Sequence, residues 1–309
     1  MNARERVLAA LAHEDPGKVP RYTSFTPVVM ERFQRETGSD DPDDFFDHEV
    51  RDVDLNPTRL NTDFSRFHQD APDNIRITEW GIGEVPGTFY HFWDYAEPMK
   101  SFTSVREVEE YPWPDLEADY RYNGLKERVE SWHDRGYAVR GASGPVFETS
   151  WFLRGMEQAM MEMLAGDEIT TCILDRVEHM CRVRARRMAE ADVDILLTSD
   201  DVGTQRGMMI SEKLWRAELK PRLGRIIQAA KDVKPDIHVF YHSDGNVEAI
   251  VPELMEVGVD ILNPVQPECM DPVHLKERYG ERLSFWGTIG IQTTLPYGTP
   301  ADEIGRAHV

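Results

Sequence analysis

The sequence predicts an α/β chain built as a (β/α)8 TIM barrel, with its last strand and helix missing from these residues and an antiparallel hairpin inserted early. Three observations predict it. From residue 137 onward, short β-branched runs alternate with amphipathic helical stretches, which is the signature of a parallel sheet wrapped in helices. The number of such units favours a closed barrel over an open doubly wound sheet, and no Gly-x-Gly-x-x-Gly or Walker-type loop follows any strand. Between about residues 75 and 100 the pattern changes to period-two alternation with glycine turns, as in an inserted hairpin. With 309 residues, 40% hydrophobic content and no linker, the chain reads as one domain spanning 1–309.

Asn2 to Leu11 places apolar residues at helical spacing, and Asp15-Pro16-Gly17 stops the helix. Lys18 to Thr23 reads as the first strand, and the Asp- and Phe-rich stretch from Ser39 to Asp54 as a capped helix with a connecting loop. Ile75 to Trp80 and Thr88 to Trp93 are the expected hairpin strands. The two prolines of Tyr111-Pro112-Trp113-Pro114-Asp115 break regular structure and mark a rigid connector. Strands follow at Tyr137–Ala142, Val193–Thr198, Ile237–Tyr241, Val259–Leu262 and Leu283–Trp286. Helices fall within Thr149–Leu164, Asp167–Ala191, Ser211–Asp232, Val247–Val257 and Pro272–Tyr279, with Ser211 as an N-cap. A last helix begins near Ala301, and no strand follows it before Val309.

The charge balance excludes several function classes. Against 35 Lys and Arg stand 56 Asp and Glu, a formal charge of −21, which argues against nucleic acid or an anionic membrane surface as partner. No segment approaches ~18 uninterrupted apolar residues and the first residues lack a signal-like apolar core, so a cytoplasmic location is expected. Cys172, Cys181 and Cys269 show no CxxC pairing, which rules against a disulfide framework or a zinc ribbon. Cys172 and Cys181 sit in a helical pattern as packing residues, whereas Cys269 lies in a loop beyond a strand.

Chemistry concentrates at strand carboxyl ends, where barrels carry their active sites. Four clusters follow strands directly: Ser199-Asp200-Asp201, His242-Ser243-Asp244, Asn263-Pro264-Val265-Gln266 with Cys269, and Trp286-Gly287-Thr288. Carboxylates, an imidazole, carboxamides and a thiol suit a zinc site or general acid/base catalysis. His242 and Asp244 and, from another strand, Asp201 are the candidate catalytic residues; His242, Asp244 and Cys269 are the candidate metal ligands. Each also has a structural role available to it: a hydrogen-bonded loop histidine for His242, an Asx-turn before Gly245 for Asp244, loop stitching for Asn263 and Gln266, and mouth packing for Trp286.

At these residues the chain resembles the uroporphyrinogen decarboxylase superfamily, which includes cobalamin-dependent methyltransferases. The matching pieces run in order from Arg4-Glu5-Arg6-Val7-Leu8-Ala9-Ala10-Leu11 through Tyr111-Pro112-Trp113-Pro114-Asp115 and Asp200-Asp201-Val202-Gly203-Thr204-Gln205. They continue through Phe240 to Asn246 and Val259 to Pro267. The resemblance implies a barrel with its site at the strand carboxyl ends; the candidate substrate-binding residues are Asp200, Asn263, Gln266 and Trp286 at the strand ends, with Arg21 and Tyr22. Decarboxylases of the family carry an arginine-rich Met-Arg-Gln-Ala-Gly-Arg-Tyr stretch; here Pro20-Arg21-Tyr22-Thr23 holds a single arginine. Phe64-Ser65-Arg66 stands where their Phe-Ser-Asp-Ile places a catalytic aspartate.

The methyltransferase branch is similar at His-x-Cys-Gly-Asn, a zinc motif whose second ligand is here Asp244. The favoured expectation is therefore methyl transfer between a corrinoid on a separate protein and a thiol or tetrahydrofolate-type acceptor, with zinc at the site. Decarboxylation of a tetrapyrrole, with no cofactor, is one alternative. A non-catalytic barrel binding a small molecule or a corrinoid protein is the other.

Overall fold

The computed structural model describes the chain apart from residues 70, 71, 73, 88–92 and 307–309. Its strands are β1 (Val50–Val53), β2 (Arg76–Ile77), β3 (Gly83–Pro86), β4 (Trp93–Ala96), β5 (Ala138–Ala142), β6 (Ile195–Ser199), β7 (Gly203–Thr204), β8 (Gly207–Met208), β9 (His238–His242), β10 (Ile261–Asn263) and β11 (Ser284–Phe285). Six of them form one parallel sheet in the order β1-β5-β6-β9-β10-β11, with helices between successive members. This is a TIM-barrel-like fold. The inserted segment is a small antiparallel sheet, β2-β3-β4, and the part of the expected hairpin strand at 88–92 lies outside the described residues.

Alternation along the strands separates two apolar layers. Val139, Leu196, Val239, Tyr241 and Leu262 face outward into the main core beneath the helices. Their alternates Val50, Ala138, Ile195, Phe240 and Ile261 meet in a second cluster with Val7 of the first helix. Residues from β1, at one sheet edge, and β10, near the other, share that inner cluster, so the sheet curls around it. Each large side chain so buried contributes roughly 1.5–3 kcal/mol.

The helix Ala3–Leu11 closes the amino end. Asn2 and Glu5 form a capping box, and Arg4 reaches Asp194 with its guanidinium. The helix Glu168–Glu190 begins on an Asp167 cap and packs along the helix Glu212–Lys231, which begins on Ser211 as expected. Among the described residues, no helix is long and apolar enough to cross a membrane.

Two expectations near the start of the chain fail. Lys18–Thr23 is not a strand; the first strand is β1, inside the stretch expected to be helix and loop. Pro20 offers no donor. The Arg21 N–H is taken by the Glu49 carboxylate at 2.8 Å, and only the Arg21 carbonyl accepts a backbone bond, from Glu49 N at 3.1 Å. The segment forms no ladder. The helix expected from Ser39 shrinks to one turn, Pro42–Phe45, capped by Asp41, which leaves Val50-Arg51-Asp52-Val53 free to pair with β5.

Candidate active site

Register brings the strand-end clusters to one rim. Ser199 pairs with His242 and Asn263 pairs with His242 from the other side, so the loops after β6, β9 and β10 leave the sheet at the same height. Two glycines let the first two loops touch. A Cβ on Gly203 would lie 2.6 Å from the Asp244 carbonyl oxygen, and one on Gly245, at φ +78°, would lie 2.6 Å from the Gly203 carbonyl carbon. The Asn246 N–H donates to the Thr204 carbonyl at 2.8 Å across that crossing.

Asp201, His242 and Asp244 meet there, each offering a ligand atom, with these atoms all within 4.8 Å of one another. His242 Nε2 lies 3.7 Å from Asp201 Oδ1, and the same oxygen accepts the Asp244 N–H at 2.8 Å. About a third of the His242 and Asp201 side chains remains exposed, at 36% and 32%, so the group is reachable from solvent. Donors bound at about 2.0–2.2 Å to one ion stand at most about 4.4 Å apart, so the set fits a divalent cation after a small contraction. Burial and the neighbouring Asp201 raise the Asp244 carboxyl above its ordinary range, against the pull of His242.

Glu148 was not among the residues singled out from sequence. It opens the helix Phe147–Arg154 just beyond β5, and its Oε2 accepts the Asp201 N–H at 3.4 Å. Burial, then the charge of Asp201, push its carboxyl up to about 7. A carboxyl with that property beside an imidazole and two carboxylates is suited to accept and return a proton near neutrality. Its signal was its position: it lies between the strand Tyr137–Ala142 and the helix expected from Thr149, a stretch with no cluster of polar side chains to mark it.

The other candidates separate into supports and outsiders. Asn263 bridges His242 Nδ1, at 2.6 Å, to the Trp286 carbonyl, at 2.5 Å. Gln266 accepts the Gly245 N–H at 2.6 Å and holds the turn. Asp200 is buried and takes the Phe147 and Glu148 N–H groups at the helix start; burial and Glu148 raise its carboxyl well above the usual range. Cys269 lies outside the three-residue group, with its thiol donating to Gln205 and burial raising it. Arg21 turns outward to the Phe46 carbonyl.

Inside the curled sheet, Arg140 is bound by Asp52 through two hydrogen bonds, 2.7 and 2.9 Å. The rings of Tyr22, Phe240 and Trp286 surround its guanidinium, and Tyr22 donates to Asp52 at 2.7 Å. Tyr22 and Trp286 thus line the lumen below the rim. A cavity of about 450 Å³ lies in the loop beyond β10, lined by Glu268, Cys269, Asp271 and Thr288 among others and by none of Asp201, His242 and Asp244.

The family model for uroporphyrinogen decarboxylase (URO-D) matches residues 96–303, a span that holds Glu148, Asp201, His242, Asp244 and Asn263. The chain belongs to the uroporphyrinogen decarboxylase family. A methyltransferase from Methanosarcina mazei has a similar structure, with a TM-score of 0.66, covering 98% of this chain and 87% of that one. At 18% identity that likeness establishes the uroporphyrinogen decarboxylase-like fold and nothing finer. No curated protein matches the chain.

Proposed function

We propose that this member of the uroporphyrinogen decarboxylase family is a methyltransferase, moving a methyl group between a corrinoid on a separate protein and a thiol or tetrahydrofolate-type acceptor. The convergence of Asp201, His242 and Asp244 within 4.8 Å carries the reading. The three would hold zinc or another divalent ion. Such an ion, when bound, makes an acceptor thiol available as thiolate at neutral pH. With two carboxylates and no thiolate among its donors, the site is harder than a cysteine-rich one and accommodates manganese or ferrous iron as well as zinc.

The chain's own residues supply the rest. Glu148 Oε2 takes the proton that the acceptor releases, its burial holding it protonatable in the right range. Asn263 orients the His242 ring and Gln266 fixes the loop. Half-exposed placement of the group leaves room for a bulky donor carried on another protein.

Decarboxylation of a tetrapyrrole rich in carboxylates fits the site less well. Such a substrate needs several free cations, each worth roughly 1.5–3 kcal/mol in charge-assisted bonds. Arg21 is spent on the Phe46 carbonyl and Arg140 on Asp52, while the rim presents Glu148, Asp201 and Asp244. The acidic rim repels a polyanion.

The test is to incubate zinc-replete protein with methylcobalamin and a panel of thiols while following the cobalt absorption. Demethylation that disappears in His242→Ala supports the proposal. No spectral change with any acceptor, tetrahydrofolate included, sinks it.

A further inference from the structure

We propose that Asn263 is a positioning residue that locks neutral His242 in its Nδ1–H form, so that the lone pair on Nε2 faces Asp201 and Asp244. The inference rests on the reading of those three residues as a metal-binding group. It turns on a hydrogen-bond count that leaves one solution.

A backbone carbonyl only accepts. The group that Asn263 presents to the Trp286 carbonyl at 2.5 Å must therefore be its NH2, since the reversed amide would set two oxygens against each other. That fixes Oδ1 toward His242 Nδ1, 2.6 Å away, and an amide oxygen likewise only accepts. The proton of a neutral His242 must then sit on Nδ1. Nε2 is left unprotonated, 3.7 Å from Asp201 Oδ1, which is where a metal ligand needs its lone pair.

The bridge is held at both ends by the sheet. Asn263 ends β10 in register with His242, and the Trp286 N–H donates to the Leu262 carbonyl at 3.0 Å, so the accepting carbonyl is fixed by the strand next door. The Trp286 ring, packed edge-on against Tyr22 and Phe240, anchors the same residue in the lumen. A tautomer set by this relay does not depend on a bound ion.

Long-range 1H–15N NMR of the metal-free protein, with histidine labelled and His242 identified by the signal lost in His242→Gln, reads the tautomer directly. Wild-type His242 should be Nδ1–H. In Asn263→Leu it should shift toward Nε2–H, and cobalt(II) affinity, followed by absorption, should fall about 10- to 100-fold. Asn263→Asp keeps an acceptor toward His242 and should keep the Nδ1–H form, although it loses the donor to Trp286. A neutral wild-type His242 carrying its single proton on Nε2 overturns the proposal without reference to any variant. So does an Asn263→Leu protein with unchanged tautomer and unchanged cobalt affinity. If wild type binds no cobalt yet the tautomer still follows residue 263, the positioning role stands and the metal reading is what fails.

Discussion

The Asp244 backbone N–H donates to Oδ1 of Asp201 at 2.8 Å, tying the loop after β9 to the loop after β6 across 43 residues of chain. One carboxylate oxygen thus does two jobs: it satisfies a half-buried donor and faces His242 Nε2. Asp201→Ala should lower unfolding free energy by about 1–2 kcal/mol in urea denaturation, because the donor is left unmet. Asp201→Asn keeps an acceptor and should recover most of that stability, yet bind cobalt(II) at least about tenfold more weakly than wild type. Equal cobalt affinity in Asp201→Asn would remove Asp201 from the ligand set.

Glu148 gives the metal-free protein a pH signature. Its carboxyl titrates near pH 7 in the folded chain, above the ordinary glutamate value of 4.5 that the unfolded chain retains. Between those values the folded state holds more protons than the unfolded one, so stability falls as pH rises from about 4.5 to about 7 and is flat in this respect above it. Glu148→Gln, which stays neutral, should flatten that part of the stability profile and lift stability at pH 8. Unfolding followed by circular dichroism across pH 5 to 8 measures it; an unchanged slope in the variant contradicts the raised value.

Gly245 is required by both backbone and space. At φ +78°, with Gly203 atoms 2.6 Å from where its Cβ would lie, Gly245→Ala should cost at least about 2 kcal/mol and spread the two loops. Metal affinity should drop together with stability. A Gly245→Ala protein as stable as wild type contradicts the close crossing of Gly203 and Gly245.

Arg140 is 7% exposed, and its two hydrogen bonds to Asp52 satisfy a cation surrounded by aromatic rings. Asp52→Ala should destabilise by about 1–3 kcal/mol, the lower half being favoured because the Asp52 side chain is 48% exposed. The pair Asp52→Ala with Arg140→Met should be more stable than Asp52→Ala alone, since the unpaired charge is then gone. Thermal unfolding of the three variants and wild type forms the double-mutant cycle; an Asp52→Ala protein as stable as the double mutant refutes the pairing.

Much of the rim was legible because a strand that ends in a polar cluster announces itself within a few residues. Ile237 to Tyr241 and the residues after it named His242 and Asp244, and Ile195 to Thr198 pointed to Asp201. Glu148 escaped because it stands alone in the stretch before the helix expected from Thr149, and its shift depends on burial and on Asp201, 53 positions away. β1 escaped because four residues among many aspartates give too little periodicity. What identifies them is pairing with β5, which no local window contains.

The sequence by itself determined the alternation of strands and helices, the family, and the residue types at each strand end, since all of these follow from short-range patterning. Only the tertiary structure decided that Asp201, rather than Cys269, joins His242 and Asp244, that Arg140 is occupied by Asp52, and that Asn263 faces His242. Those relations depend on strand register and loop crossing, where a change of a few ångströms separates a ligand from a bystander. A one-dimensional pattern carries no distances of that kind.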